Sequence, residues 1–180
     1  MPAPPADPAR EARVQEAAAL EYQAHILATQ QRPGQAIALL QRSILLNGDD
    51  PESHAVLRSL LLQLGRLQLA ALSFERAREL SPDDPRVDAG LGTAYHRMGR
   101  YAEAKAPLLR ASQAFPTDYP ILLQLGRVGF ATNDFPLCAE SFRKFTDAME
   151  ERDPKLLPEH YKEDYQRALA FAEQCEEKAR

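Results

Sequence analysis

The sequence predicts an all-α protein built from tandem helix–turn–helix units. Three observations lead to this fold class: a repeat of 34 residues, helix boundaries that recur at the same place in each repeat, and an apolar composition dominated by Leu and Ala. Hydrophobic residues make up 44% of the 180 residues, whereas aromatic residues make up only 7% and Trp is absent. The chain therefore carries enough apolar side chains for a helical core.

The 34-residue period is read directly from columns of similar side chains. The clearest columns are Ala36–Ala70–Ala104–Cys138, Leu40–Phe74–Leu108–Phe142, Ser43–Ala77–Ala111–Phe145 and Leu46–Leu80–Ala114–Ala148. Many columns agree on one period, so chance similarity does not explain them. The predicted units are 17–50, 51–84, 85–118 and 119–152, within an array that spans 9–152.

Each unit is predicted to contain two helices, as residues 85–118 illustrate. Asp84 can cap the first backbone N–H groups, and Pro85 fits the first helical turn because its missing N–H needs no partner there. Gly99 ends the first helix because glycine adopts a positive φ without strain. A second helix is predicted over residues 101–114, where it stops before a proline.

Small residues in the middle of helices predict close packing between helices. Gly92, Gly126 and Ala24 occupy equivalent positions in their units. Glycine there costs roughly 1 kcal/mol relative to alanine. That cost is explained if a neighbouring helix approaches the backbone closely at these positions.

Residues 91–116 resemble the tetratricopeptide repeat, whose signature is W-x2-L-G-x2-Y, then A-x3-F, then P. The residues that carry the resemblance are Leu91, Gly92, Tyr95, Gly99, Tyr101, Ala104, Leu108, Ala111 and Pro116. The likeness extends over all four units and implies a right-handed superhelical solenoid. The first unit departs from it with Arg32-Pro33-Gly34 in place of the turn glycine. The fourth has Asn133 at that turn and Glu150 for the final proline, so its second helix is expected to run on or to end differently.

The repeat pattern stops after Glu150. Residues 153–180 are expected to form a kinked connector and a capping helix, because an open solenoid end exposes apolar surface that needs a cover with a polar outer face. The expected apolar stripe of that helix is Tyr161, Tyr165, Leu169, Ala172 and Cys175. Residues 1–8, which are rich in Pro and Ala, are expected to be disordered.

The resemblance also implies a concave groove lined by the first helix of each unit. The expected groove residues are Glu21, His25, Glu52, Ser59, Leu62, Arg86, Thr93, His96, Leu123, Arg127 and Phe130. Apolar members would anchor a peptide or protein ligand, and the arginines would hold its carboxylates. In the alternative interpretation, some of these residues contact the capping helix or a neighbouring unit. A clamp for chaperone C-termini is not expected, because only Arg86 among the comparable positions would serve it.

No catalytic residue, cofactor or metal site is expected. None of the four histidines is spaced from a Ser or Cys as a base is from its nucleophile. His160, Glu163 and Asp164 share a helix face, but the further ligands that zinc requires are not evident. The sequence therefore predicts that the protein is not an enzyme.

A column of basic residues lies on the second helices of the units. Its members are Arg42, Arg76, Arg110 and Lys144. Glutamates interleave this column, so ion pairs within a helix are expected in preference to a nucleic-acid surface. The net charge of −4 likewise argues against nucleic acid as a partner.

The expected function is that of an adaptor or scaffold that binds a protein or peptide. Two alternatives remain open: a substrate-holding chaperone similar to those of bacterial type III secretion, and a self-assembling scaffold that forms homo-oligomers. Cys138 and Cys175 have no metal-type spacing and are expected to be reduced. No leader and no apolar run of about 20 residues is visible, which predicts a cytoplasmic protein without membrane insertion.

Overall fold

The computed structural model describes residues 7–48, 51–150 and 159–180, with the backbone alone described at 51, 52, 80 and 159–161. The helices are α1 (Pro8–Thr29), α2 (Pro33–Leu46), α3 (Pro51–Gln63), α4 (Leu67–Leu80), α5 (Pro85–Arg97), α6 (Tyr101–Ala114), α7 (Tyr119–Ala131), α8 (Phe135–Glu150) and α9 (Glu159–Ala179). Within the described ranges there is no β-strand. The predicted all-α fold of helix–turn–helix units is confirmed, and α6 has the predicted bounds.

Some expectations fall on parts of the chain that the structure does not describe. These are the tail at 1–6, the connector at 153–158, and the side chains of Glu52, His160 and Tyr161. They stay predictions.

The chain divides into two compact parts, which are called the N-terminal unit and the C-terminal unit below and are distinct from the four repeat units. The N-terminal unit ends at Ser73 and the C-terminal unit begins at Phe74. In the N-terminal unit, α1 packs on α2 and α2 packs on α3. Ala24 of α1 meets Ala36 and Leu40 of α2 in a core that also contains Leu60 of α3. Three of these side chains are completely buried, so the small residues of the repeat columns lie where the helices touch.

In the C-terminal unit the helices from α5 onward pack in chain order. A Cβ atom on Gly92 would lie 2.6 Å from Cγ of Leu108, and one on Gly126 would lie 2.7 Å from the ring of Phe142. Both distances are shorter than van der Waals contact permits. The prediction that these two glycines mark close helix packing is therefore confirmed.

Aspartate side chains cap the first helix of the third and fourth units. Oδ1 of Asp84 accepts a hydrogen bond from the N–H of Arg86 at 2.9 Å. Oδ1 of Asp118 accepts one from the N–H of Ile121 at 3.0 Å. The predicted cap at Asp84 is confirmed, and such a cap contributes about 1 kcal/mol to helix stability.

The first helix begins earlier than the sequence predicted. Oδ1 of Asp7 accepts a hydrogen bond from the N–H of Ala9 at 3.0 Å, and Pro8 is the first residue of α1. Asp7 and Pro8 are therefore helix-initiating residues, although the sequence placed them in a disordered tail. The repeat pattern gave no sign of this turn because it starts at residue 17.

The turns between paired helices place one residue per unit in the left-handed region. Gly65 and Gly99 have φ of 70° and 74°, and the equivalent residues Gln31 and Asn133 have φ of 58° and 57°. In the first unit the turn is thus made by Gln31, while Gly34, which the sequence suggested in its place, lies inside α2. Asparagine adopts this conformation more readily than most residues, which explains why the fourth unit manages without glycine.

A disulfide bond joins Cys138 of α8 to Cys175 of α9. The two Cα atoms lie 6.0 Å apart, within the range that a disulfide spans, and both side chains are fully buried. The expectation that these cysteines are reduced is therefore wrong in this structure. Sequence spacing could not reveal the pair, because it forms only when α9 packs on α8.

The basic column forms two kinds of ion pair. Arg76 pairs with Glu79, and Lys144 pairs with Glu140, each within one helix as predicted. Arg42 instead pairs with Glu16 of α1, and Arg110 pairs with Asp88 of α5. The prediction of pairing within a helix is thus wrong for Arg42 and Arg110, which link the two helices of their own unit.

Candidate functional site

The expected groove residues of the N-terminal unit have different environments. Glu21 accepts a hydrogen bond from Oγ of Ser53 at 2.9 Å, which ties α1 to α3. His25 and Ser59 are exposed, and Leu62 is half-buried.

Two groove residues at the start and middle of α5 are engaged locally. The Arg86 guanidinium lies 3.1 Å from Asp84, the carboxylate that also caps α5. Oγ1 of Thr93 donates a hydrogen bond to the carbonyl of Ala89 at 2.8 Å, one turn back along the helix. Arg86 stays exposed, whereas the hydroxyl of Thr93 is used within its own helix.

Three expected groove residues come together at one cleft in the C-terminal unit. His96 lies near the end of α5, and Arg127 and Phe130 lie on successive turns of α7. The cleft has a volume of about 350 Å³ and is called the α5–α9 cleft below. Its lining residues are His96, Tyr101, Arg127, Phe130, Ala131, Phe142 and Phe171.

Helix α9 contributes one wall of the α5–α9 cleft. Nη2 of Arg127 lies 3.3 Å from Oδ1 of Asp164, and the ring of Phe171 lies 5.4 Å from that of Phe130. The second interpretation made from the sequence, that groove residues contact the C-terminal helix, therefore holds for Arg127 and Phe130. Both still face the cleft.

Leu123 does not belong to this surface. Its side chain is buried in the core that α7, α8 and α9 share, together with Tyr119, Phe142 and Ala168. Its assignment to the groove is therefore wrong. Leu123 lies one helical turn before Arg127. At this turn side chains of both α8 and α9 cover α7, whereas a repeat unit of two helices predicts cover from α8 alone.

The environment of His96 favours its neutral form. Burial lowers the pKa of its imidazole from the usual 6.5, and the nearby charge of Arg127 lowers it further. Its ring meets the ring of Tyr101 edge-on, with 5.6 Å between centroids. At neutral pH this part of the cleft therefore carries the charge of Arg127 without a second one from His96.

Sequence reasoning missed several residues that form the cleft. The repeat signature includes Tyr101 and a packing column includes Phe142, whereas the predicted apolar stripe of α9 omits Phe171. Among the described side chains of α9, those of Ala168, Ala172 and Cys175 are buried, and Phe171 lies at the edge of this face. The sequence signal that could have identified Phe171 is an aromatic residue at the border of the apolar face of an amphipathic helix.

The described residues offer no arrangement typical of a metal site. In the ranges that the structure describes, no three side chains of His, Cys, Asp or Glu are grouped so that they could hold an ion. None of the described helices is long and apolar enough to cross a membrane. The α5–α9 cleft combines apolar walls with a cation, Arg127.

Comparison with known proteins identifies the repeat. Two family models, both described as tetratricopeptide repeat, match residues 61–125 and 23–85. No curated protein matches the chain in sequence.

Solved structures show the same fold at low sequence identity. The segment of MamA from residue 41 to its end, from Desulfovibrio magneticus RS-1, superposes with a TM-score of 0.72 at 20% identity, over 91% of this chain and 95% of that one. A tetratricopeptide repeat protein from Parabacteroides merdae gives 0.72 at 14% identity, over 90% and 60%. YrrB, described as having an unusual peptide-binding site, gives 0.67 at 16% identity, over 76% and 70%.

Proposed function

Because this chain belongs to the tetratricopeptide repeat family, we propose that it is a non-enzymatic adaptor whose α5–α9 cleft binds a peptide or protein partner. Repeat proteins of this architecture serve protein–protein interaction. The convergence of His96, Arg127 and Phe130 on one cleft carries the proposal, because the sequence independently predicts all three as groove residues.

The chemistry of the cleft supports peptide binding over catalysis. A guanidinium beside aromatic rings can hold a carboxylate and an apolar side chain together, which are the usual anchors of a peptide. YrrB is a structural neighbour whose description names a peptide-binding site. No nucleophile and base pair lines the α5–α9 cleft.

Affinity capture from the native host tests the proposal. The bait proteins are the wild type, Arg127→Glu and Arg167→Glu, each checked for an unchanged thermal midpoint. Arg167 is a matched control because it also pairs with a carboxylate of α9, Glu163, and lies outside the cleft. A partner that wild type and Arg167→Glu retain and Arg127→Glu loses supports the proposal. A partner retained equally by all three assigns binding to another surface, and a single secreted client indicates the chaperone alternative.

Self-association is a second candidate function, favoured by apolar side chains on α1. Val14, Tyr22 and Ile26 lie on one side of this helix and are 42%, 70% and 39% exposed. Clustered exposed apolar residues often mark contact sites. Light scattering on the wild type, on a deletion of residues 1–10 and on Tyr22→Ser with Ile26→Ser tests this. A monomeric mass at all accessible concentrations removes the candidate.

The cellular compartment in which the protein works is also part of the proposal. The sequence predicts a cytoplasmic protein, whereas disulfides persist mainly in oxidising compartments. The buried Cys138–Cys175 bond is the observation that weighs against the cytoplasm. We therefore infer that the adaptor works where disulfides form.

A further inference from the structure

Aromatic rings form most of the wall of the α5–α9 cleft. Phe171 stacks on Phe142 with 5.6 Å between centroids and an interplanar angle of 19°. It also meets Phe130 at 5.4 Å and 73°, so α7, α8 and α9 each supply one ring. At about 350 Å³ the cleft is at the lower end of the range for ligand pockets. This volume suits one large side chain better than a whole helix or strand.

The charges beside these rings are mainly positive. Arg127 lines the cleft with half of its side chain exposed, and Nζ of Lys178 lies 5.7 Å from the centroid of Phe130. Asp164 supplies the carboxylate that contacts Arg127. Aromatic walls attract cations in general. Here Lys178 already lies over one ring and Arg127 lines the same cleft, so an anionic ligand is favoured over a cationic one.

Helix α9 shows which side chains this surface accommodates. Asp164 and Phe171 are seven positions apart and lie on one face of the helix, about two turns from each other. One places a carboxylate on Arg127, and the other places a ring against Phe130. A guanidinium has five N–H donors, and the contact with Asp164 engages one of its terminal nitrogens. Arg127 therefore has donors for a second carboxylate.

We propose that the α5–α9 cleft binds an acidic peptide segment, with an aromatic side chain of the ligand against Phe130, Phe142 and Phe171 and a neighbouring carboxylate on Arg127. This inference rests on the proposed adaptor function and defines the chemistry of the partner. The bound segment presents a carboxylate and an aromatic ring to this surface, as Asp164 and Phe171 of α9 already do.

Fluorescence anisotropy with three synthetic peptides tests the inference on the full chain. Each is a fluorescein-labelled ten-residue peptide: the first has a central Phe flanked by Asp, the second has the same Phe flanked by Lys, and the third has a central Ala flanked by Asp. The first peptide should bind at least about tenfold more tightly than either of the others, because the second lacks the charge-assisted contact and the third lacks the buried ring. Equal affinities, or no binding of the first peptide, would overturn the inference.

Two substitutions at Arg127 then locate the site. Arg127→Glu should abolish the preference for Asp over Lys flanks, and Arg127→Gln should reduce it, while Arg167→Glu should leave it unchanged. Backbone amide shifts of Arg127, Phe130 and Phe171 in NMR spectra should move with the first peptide. A preference that survives both Arg127 substitutions contradicts the inference.

The two proposals can fail separately. If the captured partner depends on Arg127 but the acidic aromatic peptide binds no better than the others, the adaptor function stands and the ligand class is wrong. If the captured partner is indifferent to Arg127, the proposed function itself fails.

Discussion

The Asp88 carboxylate of α5 accepts two hydrogen bonds from the Arg110 guanidinium of α6, at 2.8 Å from Nε and 2.7 Å from Nη2. Asp88 is buried, with 3% of its surface exposed, whereas nearly half of the Arg110 side chain reaches solvent. Asp88 stands in a column whose equivalents in the first and fourth units are Leu20 and Leu122. The charged Asp88 thus occupies a position that is apolar in these two units. Its burial depends on the hydrogen bonds that Arg110 donates to it.

This pair should respond asymmetrically to substitution. Arg110→Ala leaves a buried carboxylate without its hydrogen bonds, so the free energy of unfolding should fall by about 1–3 kcal/mol. Asp88→Leu should cost less, because the remaining Arg110 is solvated and Leu suits the column. Adding Asp88→Leu to Arg110→Ala should restore stability in urea denaturation. Equal losses in the two single variants, with no restoration, would contradict this account.

The disulfide should stabilise the packing of α9 on α8. Replacing both Cys138 and Cys175 with serine should lower the free energy of unfolding by about 2–4 kcal/mol, because the bond closes a loop between positions 37 apart. A dithiol reductant should bring the wild type close to the double variant in thermal melts. If the reductant does not move the wild-type midpoint, the bond contributes nothing to stability.

The oxidation state in the host tests the inferred compartment. Cells are quenched directly in acid, and the protein is then denatured and alkylated. Its mass is measured by mass spectrometry. An oxidising compartment predicts no alkylation of either cysteine. Alkylation of both would restore the cytoplasmic prediction.

Acid should weaken the protein through His96. The folded-state pKa of this histidine lies below its unfolded value, so the unfolded chain binds the proton first and stability falls as pH drops below about 6.5. Thermal midpoints from pH 7.5 to 5.5 should fall more steeply for the wild type than for His96→Gln. His25→Gln, at an exposed position of α1, should keep the wild-type slope. Three equal slopes would show that His96 is not responsible.

Gly129 should tolerate no side chain. A Cβ atom there would lie 2.6 Å from the backbone nitrogen of Cys138 and 2.9 Å from its Cα, and neither atom belongs to a flexible side chain. Gly129→Ala should therefore lower the free energy of unfolding by about 1–3 kcal/mol. Gly34→Ala is the control, since no atom lies within 4 Å of its added methyl group. It should be neutral or stabilising by up to about 1 kcal/mol in the same urea titration.

Local rules account for what the sequence predicted of the fold. The 34-residue period located the helix pairs, and α6 begins and ends at the predicted residues. Caps such as Asp84 and close contacts such as Gly92 against Leu108 follow from side chains near one another in the repeat. The left-handed turn conformation recurs at the same position in every unit, but the residue there changes. Gln31 was missed because the first unit lacks the glycine that marks this conformation at Gly65 and Gly99.

The site was predicted less completely because part of it lies beyond the repeats. His96, Arg127 and Phe130 followed from the position of each helix face in a unit. Asp164 and Phe171 come from α9, whose docking no repeat column specifies. The same cause explains the missed disulfide and the burial of Leu123, since both depend on the side of α8 that α9 covers.

Partner affinity measured by titration calorimetry tests the role of the α5–α9 cleft most directly. The captured partner is titrated into the wild type, Arg127→Glu and Arg167→Glu. The account predicts a loss of at least about tenfold in affinity for Arg127→Glu, corresponding to one charge-assisted contact, and no change for Arg167→Glu. The same affinity for all three proteins, each with the wild-type thermal midpoint, would contradict it.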